Sequence, residues 1–274
     1  MVNPTKSRLT LNNNVKMPRL GLGVYKAKEG GEVERAVEYA LSVGYRLIDT
    51  AYIYFNESGV GTAVNNSKIP REELFITTKL WNDRHGYEEA LKAFEESRRN
   101  LKLDYIDLYL IHWPCGGKLL ETWKALEKLY DEGVVKAIGV SNYLEHHLDE
   151  ILTKANIPPA VNQVEFHPYF WQESLYYYCN NNDIVIEAWA PLARGNVLND
   201  RIIVEIASKH NKKTSQVVLR WQLQKNIVTI PKSVNPERIK ENAEIFDFEL
   251  DDEDMLRIDN LNEGEKGRIG SYPK

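Results

Sequence analysis

Eight short apolar runs recur along the chain: "RLGLGVY", "YRLIDTA", "ELFITTKLW", "YIDLYLIHW", "VKAIGVSN", "AVNQVEF", "IVIEAWAPL" and "NIVTIPKS". Strands this continuously apolar must be covered on both faces, as happens in parallel sheets flanked by helices. Between them lie segments with helical spacing and helix-friendly composition, among them "EVERAVEYALSVG", "YEEALKAFEESRRNL", "LLETWKALEKLYDEG" and "RIIVEIASKHNKKTSQVVLRWQLQKN". Gly44 and Gly133 stand where C-terminal caps belong. Strand and helix alternating eight times predicts a closed (β/α)8 TIM barrel. Ahead of it, residues 8–18, "RLTLNNNVKMP", alternate around an Asn cluster and read as a small hairpin, a lid or plug. No linker-like stretch interrupts the rhythm, so residues 1–274 are expected to form one domain.

The rival architecture is an open doubly wound sheet, which carries a glycine-rich phosphate turn after its first strand. "GLGVYK" and "GVGTAV" each hold two glycines one residue apart, but neither completes that fingerprint. Any dinucleotide must therefore be held by another device. With 43% hydrophobic and 27% charged residues the chain falls in the ordinary globular range. Its formal charge of -5 argues against a nucleic-acid surface, which needs a basic face. Cys115 and Cys179 are far apart and in no metal or redox spacing, and neither a secretory leader nor a membrane span is visible. These features lead to the expectation of a cytoplasmic protein without structural disulfides or a metal centre.

Polar residues out of keeping with apolar strands recur at strand C-terminal ends: Asp49, Lys79, His112, Ser141 with Asn142, Gln163, and Lys232 with Ser233. In a barrel those ends converge on one mouth. An ammonium at the end of "LFITTK" is costly to bury without a carboxylate, and Asp49 on the preceding strand can compensate it. The pair admits three readings: a structural ion pair, a Schiff-base lysine, or a cation that lowers the pKa of a nearby phenol. Two phenols stand close by in "DTAYIYFNE". A strand continuing through Tyr52 and Tyr54 would point both to the same side, so alternation does not choose between them. Aspartate, tyrosine, lysine and histidine together suit reduction of an aldehyde or ketone by hydride, with the phenol as acid and His112 orienting the carbonyl oxygen.

"DTAYIYFNE", "FITTKLWN", "YIDLYLIHWP", "AIGVSN", "VNQVEFHP", and "TIPKS" followed by "RIKEN" resemble the aldo-keto reductase family, in the same order and along essentially the whole chain. Within it the chain looks closest to the 2,5-diketo-D-gluconate, glyoxal and prostaglandin F reductase group. The resemblance implies a (β/α)8 barrel whose N-terminal hairpin closes the base and whose mouth binds extended NADPH/NADP+. It carries a catalytic tetrad onto Asp49, Tyr54, Lys79 and His112, choosing Tyr54 over Tyr52 by the family's spacing. Ser141, Asn142 and Gln163 match the holders of the nicotinamide carboxamide, and Trp189 the ring that stacks on the nicotinamide, with Leu192 a further cofactor contact. Lys232, Ser233 and Arg238 match the grip on the adenosine 2'-phosphate, and Glu241 and Asn242 reach toward adenine.

Tyr25, Trp81 and Trp113 match aromatic substrate-pocket positions beside His112, which suits a small carbonyl compound with a partly apolar body. Tyr52 and Phe55 are bulkier than is usual there, "WAPLARG" replaces the commoner "SPLGQG", and the tail stops at "GSYPK", which would leave the pocket more open. His146 and His147 are expected on a helix surface, and the Asn56 glycosylation triplet is expected to go unused. The resemblance further implies a monomer, while the net charge and the lack of a long apolar stretch lead to the expectation that it binds neither nucleic acid nor membrane. A Schiff-base aldolase and a cofactor-binding regulatory or structural subunit are the competing functions; the phenol beside Lys79 weighs against the first and the intact tetrad against the second.

Overall fold

The computed structural model describes residues 7–115 and 117–271. The hairpin is present as β1 (Arg8–Thr10) and β2 (Lys16–Pro18), paired antiparallel. Eight parallel strands follow: β3 (Gly21–Gly23), β4 (Leu47–Asp49), β5 (Phe75–Leu80), β6 (Ile106–Ile111), β7 (Val135–Ser141), β8 (Val161–Glu165), β9 (Val185–Trp189) and β10 (Val228–Thr229). Each pairs with the next in chain order, and parallel bridges Leu20–Thr229 and Gly23–Lys232 join the two ends. The eight apolar runs thus close into the expected (β/α)8 barrel.

The period of two along each strand fixes what faces inside. Leu47 and Asp49, Phe75, Thr77 and Lys79, Leu108, Leu110 and His112, and Val161 and Gln163 are alternate residues of successive strands. Their lower members Leu47, Phe75, Leu108 and Val161 form an apolar layer with Leu11 and Met17 of the hairpin. The hairpin is therefore a plug at the base, as the resemblance implied. The upper members are polar, so the barrel grades from oil at its base to charge at its mouth.

Helices pack around the barrel: α1 (Glu32–Ser42), α2 (Glu57–Asn66), α3 (Tyr87–Leu101), α4 (Leu119–Asp131), α5 (Glu145–Lys154), α6 (Glu173–Asn181), α7 (Arg201–His210), α8 (Thr214–Gln224), α9 (Pro236–Ala243) and α10 (Asp252–Asp259). Helix α1 buries Val33, Ala36, Val37, Ala40 and Leu41, one face at helical spacing. Its stop is Gly44 at φ 105°, where the Gly44 and Tyr45 amides donate to Leu41 and Ala40 carbonyls. The long segment from Arg201 divides in two: Asn211 adopts φ 52°, ends α7 and redirects the chain into α8. Histidines 146 and 147 lie in the first turn of α5. No helix among the described residues is long and apolar enough to cross a membrane.

The second glycine-bearing segment, "GVGTAV", is helical and has a packing role. A β-carbon on Gly61 would lie 2.1 Å from the Leu101 carbonyl oxygen, so only glycine lets α2 lie this close to the end of α3. Gly61→Ala is expected to destabilise the fold by about 1–3 kcal/mol, an overpacking effect read as a lower urea midpoint with unchanged slope. An unchanged midpoint would show that the close approach is not needed.

Candidate functional site

Strand β4 ends at Asp49, and there the backbone leaves the sheet. Tyr52–Tyr54 form a single 3-10 turn rather than continuing the strand. Buried Asn56 closes that turn: its side-chain amide donates to the carbonyls of Val24 and Ala27, and its oxygen accepts from the Thr50 hydroxyl. Full burial also explains why its glycosylation triplet is inaccessible. A 3-10 helix turns about 120° per residue, so residues two apart no longer share a side. Tyr52 faces outward, its hydroxyl donating to Glu96 on α3 at 3.0 Å. Tyr54 faces Lys79, whose Nζ lies 5.0 Å from the ring centre. The turn therefore separates two tyrosines that strand alternation left equivalent.

Lys79 is wholly buried and donates to Asp49 Oδ1 at 2.7 Å and to the Thr50 carbonyl at 2.8 Å. Burial pulls its proton off more strongly than any single neighbour holds it, but the Asp49 charge and hydrogen bond, with Tyr54 and Glu187, together hold the ammonium above its ordinary value. Asp49 is itself raised by burial against the pull of Lys79. The phenol corrects one expectation. Lys79 does favour the Tyr54 phenolate, but burial outweighs it and pushes Tyr54 up to about 12. His112, just past β6, is driven well below the ordinary histidine range by burial and by Lys79. It is thus a neutral imidazole at physiological pH. Its ring centre lies 5.8 Å from that of Tyr54 and 5.1 Å from that of Trp81, both edge-on.

Tyr25 completes the aromatic surround, its ring centre 5.0 Å from that of Tyr54 and its side chain half-exposed. Trp113 follows His112 and is half-buried. Phe55 stands 73% exposed at a left-handed φ of 55°. Of the two bulky departures in this motif, Tyr52 thus turns toward α3, and Phe55 stands largely in solvent. Cys115, also near the mouth, has its thiol pushed up by burial, which disfavours a thiolate.

On the far wall Ser141, Asn142, Gln163 and Trp189 form one network. Ser141 Oγ donates to the Gln163 carbonyl at 2.8 Å, and Asn142 Nδ2 donates to Ser141 Oγ and to the His112 carbonyl. Asn142 takes φ 64° and accepts from the Trp189 indole at 2.8 Å, which fixes that ring at the end of β9. Leu192 lies in the loop just beyond, half-buried. The short tail is tied across this region: the amides of Ile269 and Gly270 donate to the Glu165 carboxylate at 2.7 and 2.8 Å, and Gly270 lies against Trp189.

Lys232 and Arg238 are exposed and flank the N-terminus of α9, which Asn235 caps through its side-chain oxygen. Ser233 is buried between them in sequence and accepts from the Asn235 amide at 3.1 Å. No carboxylate pairs with either cation among the described residues. Glu241 is ion-paired with Lys213 at 2.8 Å, and Asn242 is buried. One polar side chain of the barrel interior was not foreseen: Glu187 on β9, wholly buried, whose Oε2 accepts from Gln163 Nε2 at 2.7 Å. Its signal was a lone acid inside "IVIEAWAPL".

A sequence profile described as "Aldo/keto reductase family" matches residues 19–263. A glyoxal reductase of Bacillus subtilis is 54% identical over 268 residues, covering 98% of this chain and 96% of its own. A 9,11-endoperoxide prostaglandin H2 reductase of Trypanosoma cruzi is likewise 54% identical, with 97% and 94% covered. A Gox0644 variant solved in complex with NADPH superposes with a TM-score of 0.92 at 43% identity, with 97% of this chain and 96% of that one covered. Matched over most of its length in sequence and in fold, this protein belongs to the aldo/keto reductase family.

Proposed function

We propose that the protein is an NADPH-dependent reductase of small aldehydes and ketones, α-dicarbonyls and keto-sugars included. The observation that carries this reading is a protonated phenol, Tyr54, set between a buried ammonium and a neutral imidazole at the barrel mouth. NADPH, when bound, supplies the hydride that reaches the carbonyl carbon. Tyr54 holds the proton that goes to the carbonyl oxygen, giving the alcohol. Lys79, fixed by Asp49, stabilises the phenolate left behind. His112 offers a ring N–H that orients the oxygen as negative charge grows on it.

The residues fit the cofactor. Two exposed cations that have no carboxylate partner among the described residues, at a helix N-terminus, suit a dianionic phosphate, and NADH would offer them nothing to neutralise. Lys232, Ser233 and Arg238 are therefore read as the 2'-phosphate grip, with Glu241 and Asn242 beside the adenine. Ser141, Asn142 and Gln163 present a polar wall to the carboxamide, and Trp189 with Leu192 presents a flat apolar surface to the ring. The names of the relatives, a glyoxal reductase among them, and a neighbour in complex with NADPH support the same reading.

Arg238→Ala is expected to weaken NADPH binding by about 1–3 kcal/mol, the range of a charge-assisted hydrogen bond, and to leave NADH binding nearly unchanged. Fluorescence titration with both cofactors tests it. Equal affinities for NADPH and NADH in the unaltered protein would overturn the assignment.

The pH dependence follows from the directions of the shifts. The acid must be protonated to donate, and Tyr54 at about 12 stays protonated far above neutrality. Loss of the Tyr54 proton is thus expected to slow reduction at limiting substrate only beyond about pH 10, with no limb near the ordinary histidine value. Alcohol oxidation, which needs the phenolate, should rise over the alkaline range. A reduction midpoint near about pH 8 that persists in Glu187→Gln, and so does not report the buried Glu187 carboxyl pushed up to about 8, would show that another group is the acid.

A further inference from the structure

Glu187 carries a carboxyl group that the tetrad chemistry does not use, yet it sits inside the barrel with none of its surface exposed. The ring of eight strands sets β8 opposite β4, so the Gln163 side chain spans the interior to reach Asp49. Its Nε2 lies 2.8 Å from Asp49 Oδ2 and 2.7 Å from Glu187 Oε2. An amide nitrogen has two hydrogens to give, and here two carboxyl oxygens take them. The Gln163 carbonyl oxygen Oε1 must then face away from both acids, because turning it toward them would set acceptor against acceptor. With Asp49 alone, one hydrogen would be orphaned and the amide plane free to rotate about the remaining bond.

We infer that Glu187 is a positioning residue: by taking the second Nε2 hydrogen it locks Gln163 with Oε1 presented as an acceptor for the amide N–H2 of a nicotinamide. This rests on the reading of Gln163 as a carboxamide contact. Burial and the neighbouring Asp49 push Glu187 up to about 8, so at neutral pH Oε2 accepts without adding a second negative charge beside Asp49. Glu187 Oε1 has no hydrogen-bond partner among the described residues, which leaves it to carry the proton. A nicotinamide ring carries a different C4 hydrogen on each face. An amide held in one orientation selects one face, so Glu187 acts on which hydrogen is transferred.

The test compares E187M, E187D, E187Q and Q163L with the unaltered enzyme. In the cofactor-free, 15N-labelled protein, the Gln163 side-chain N–H2 signals, assigned by their absence in Q163L, should exchange slowly with solvent. They should exchange faster in E187M and in E187D, whose carboxyl is one methylene short. NADPH dissociation constants should rise about tenfold in E187M and E187D, as for one lost buried hydrogen bond. Hydride transfer from cofactor deuterated on one face or the other should become mixed in both. E187Q keeps an acceptor oxygen in place and should stay within about twofold of the unaltered enzyme. If E187M does not fold, E187D carries the test alone. Loss of NADPH affinity in Q163L with wild-type affinity and single-face transfer in the Glu187 variants would overturn the role of Glu187 alone. Wild-type affinity in Q163L would instead remove the carboxamide reading beneath it.

Discussion

Tyr54→Phe is expected to lose turnover by roughly 10²- to 10⁴-fold while still binding NADPH, because it would remove the proposed general acid and little else. The ring stays, so packing against His112 and Tyr25 is retained. The proposed cofactor contacts lie on β7 to β9 and around the start of α9, away from the turn that carries Tyr54. Tyr52→Phe serves as the internal control. Its hydroxyl is spent on Glu96 at the outer side of the turn, so its loss should lower stability by about 0.5–1.5 kcal/mol and leave turnover within about tenfold. Single-turnover hydride transfer in the two variants separates them. An active Tyr54→Phe beside an inactive Tyr52→Phe would reverse the assignment of the acid.

Lys79→Met is expected to damage both fold and chemistry. Asp49 would be left buried without its cation, and removing one partner of a buried pair destabilises by about 3–5 kcal/mol. Part of that loss should return when Asp49→Asn is added, because the uncompensated charge is then gone. Turnover should not return, since the cation that stabilises the Tyr54 phenolate is absent from both variants. Urea unfolding read beside single-turnover rates checks the two halves separately. A destabilisation below about 1 kcal/mol would mean that Asp49 stays neutral or finds water in the native protein.

The barrel was legible because eight continuously apolar runs alternate with helical segments and polar residues such as Asp49, Lys79 and His112 mark the strand ends; which side of each strand faces inside needed the register. The choice between Tyr52 and Tyr54 was not legible from alternation, because β4 stops at Asp49 and a 3-10 turn replaces the pleat. Family spacing named Tyr54, and the turn gives the geometric reason. The break at Asn211 was missed because polar "KHNKKTS" does not disturb a helical pattern, while the left-handed φ of one asparagine ends the helix. The sign of the Lys79 effect on Tyr54 could be read from sequence, but not its contest with burial, which depends on everything packed around the phenol. Glu187 needed the closed ring before its neighbour across the register, Gln163, gave it a meaning.

Under the proposed function, hydride from NADPH and a proton from the protein reduce a carbonyl at this mouth. The most direct measurement mixes the unaltered protein and NADPH with a panel of aldehydes, α-dicarbonyls, keto-sugars and quinones, following nicotinamide absorbance and alcohol formation together. One NADPH should be oxidised for each alcohol formed, with small carbonyl compounds consumed fastest and NADH a poor substitute. Carbonyl turnover that proceeds without NADPH, with borohydride trapping the substrate on Lys79, would contradict the proposed function and establish a Schiff-base enzyme in its place.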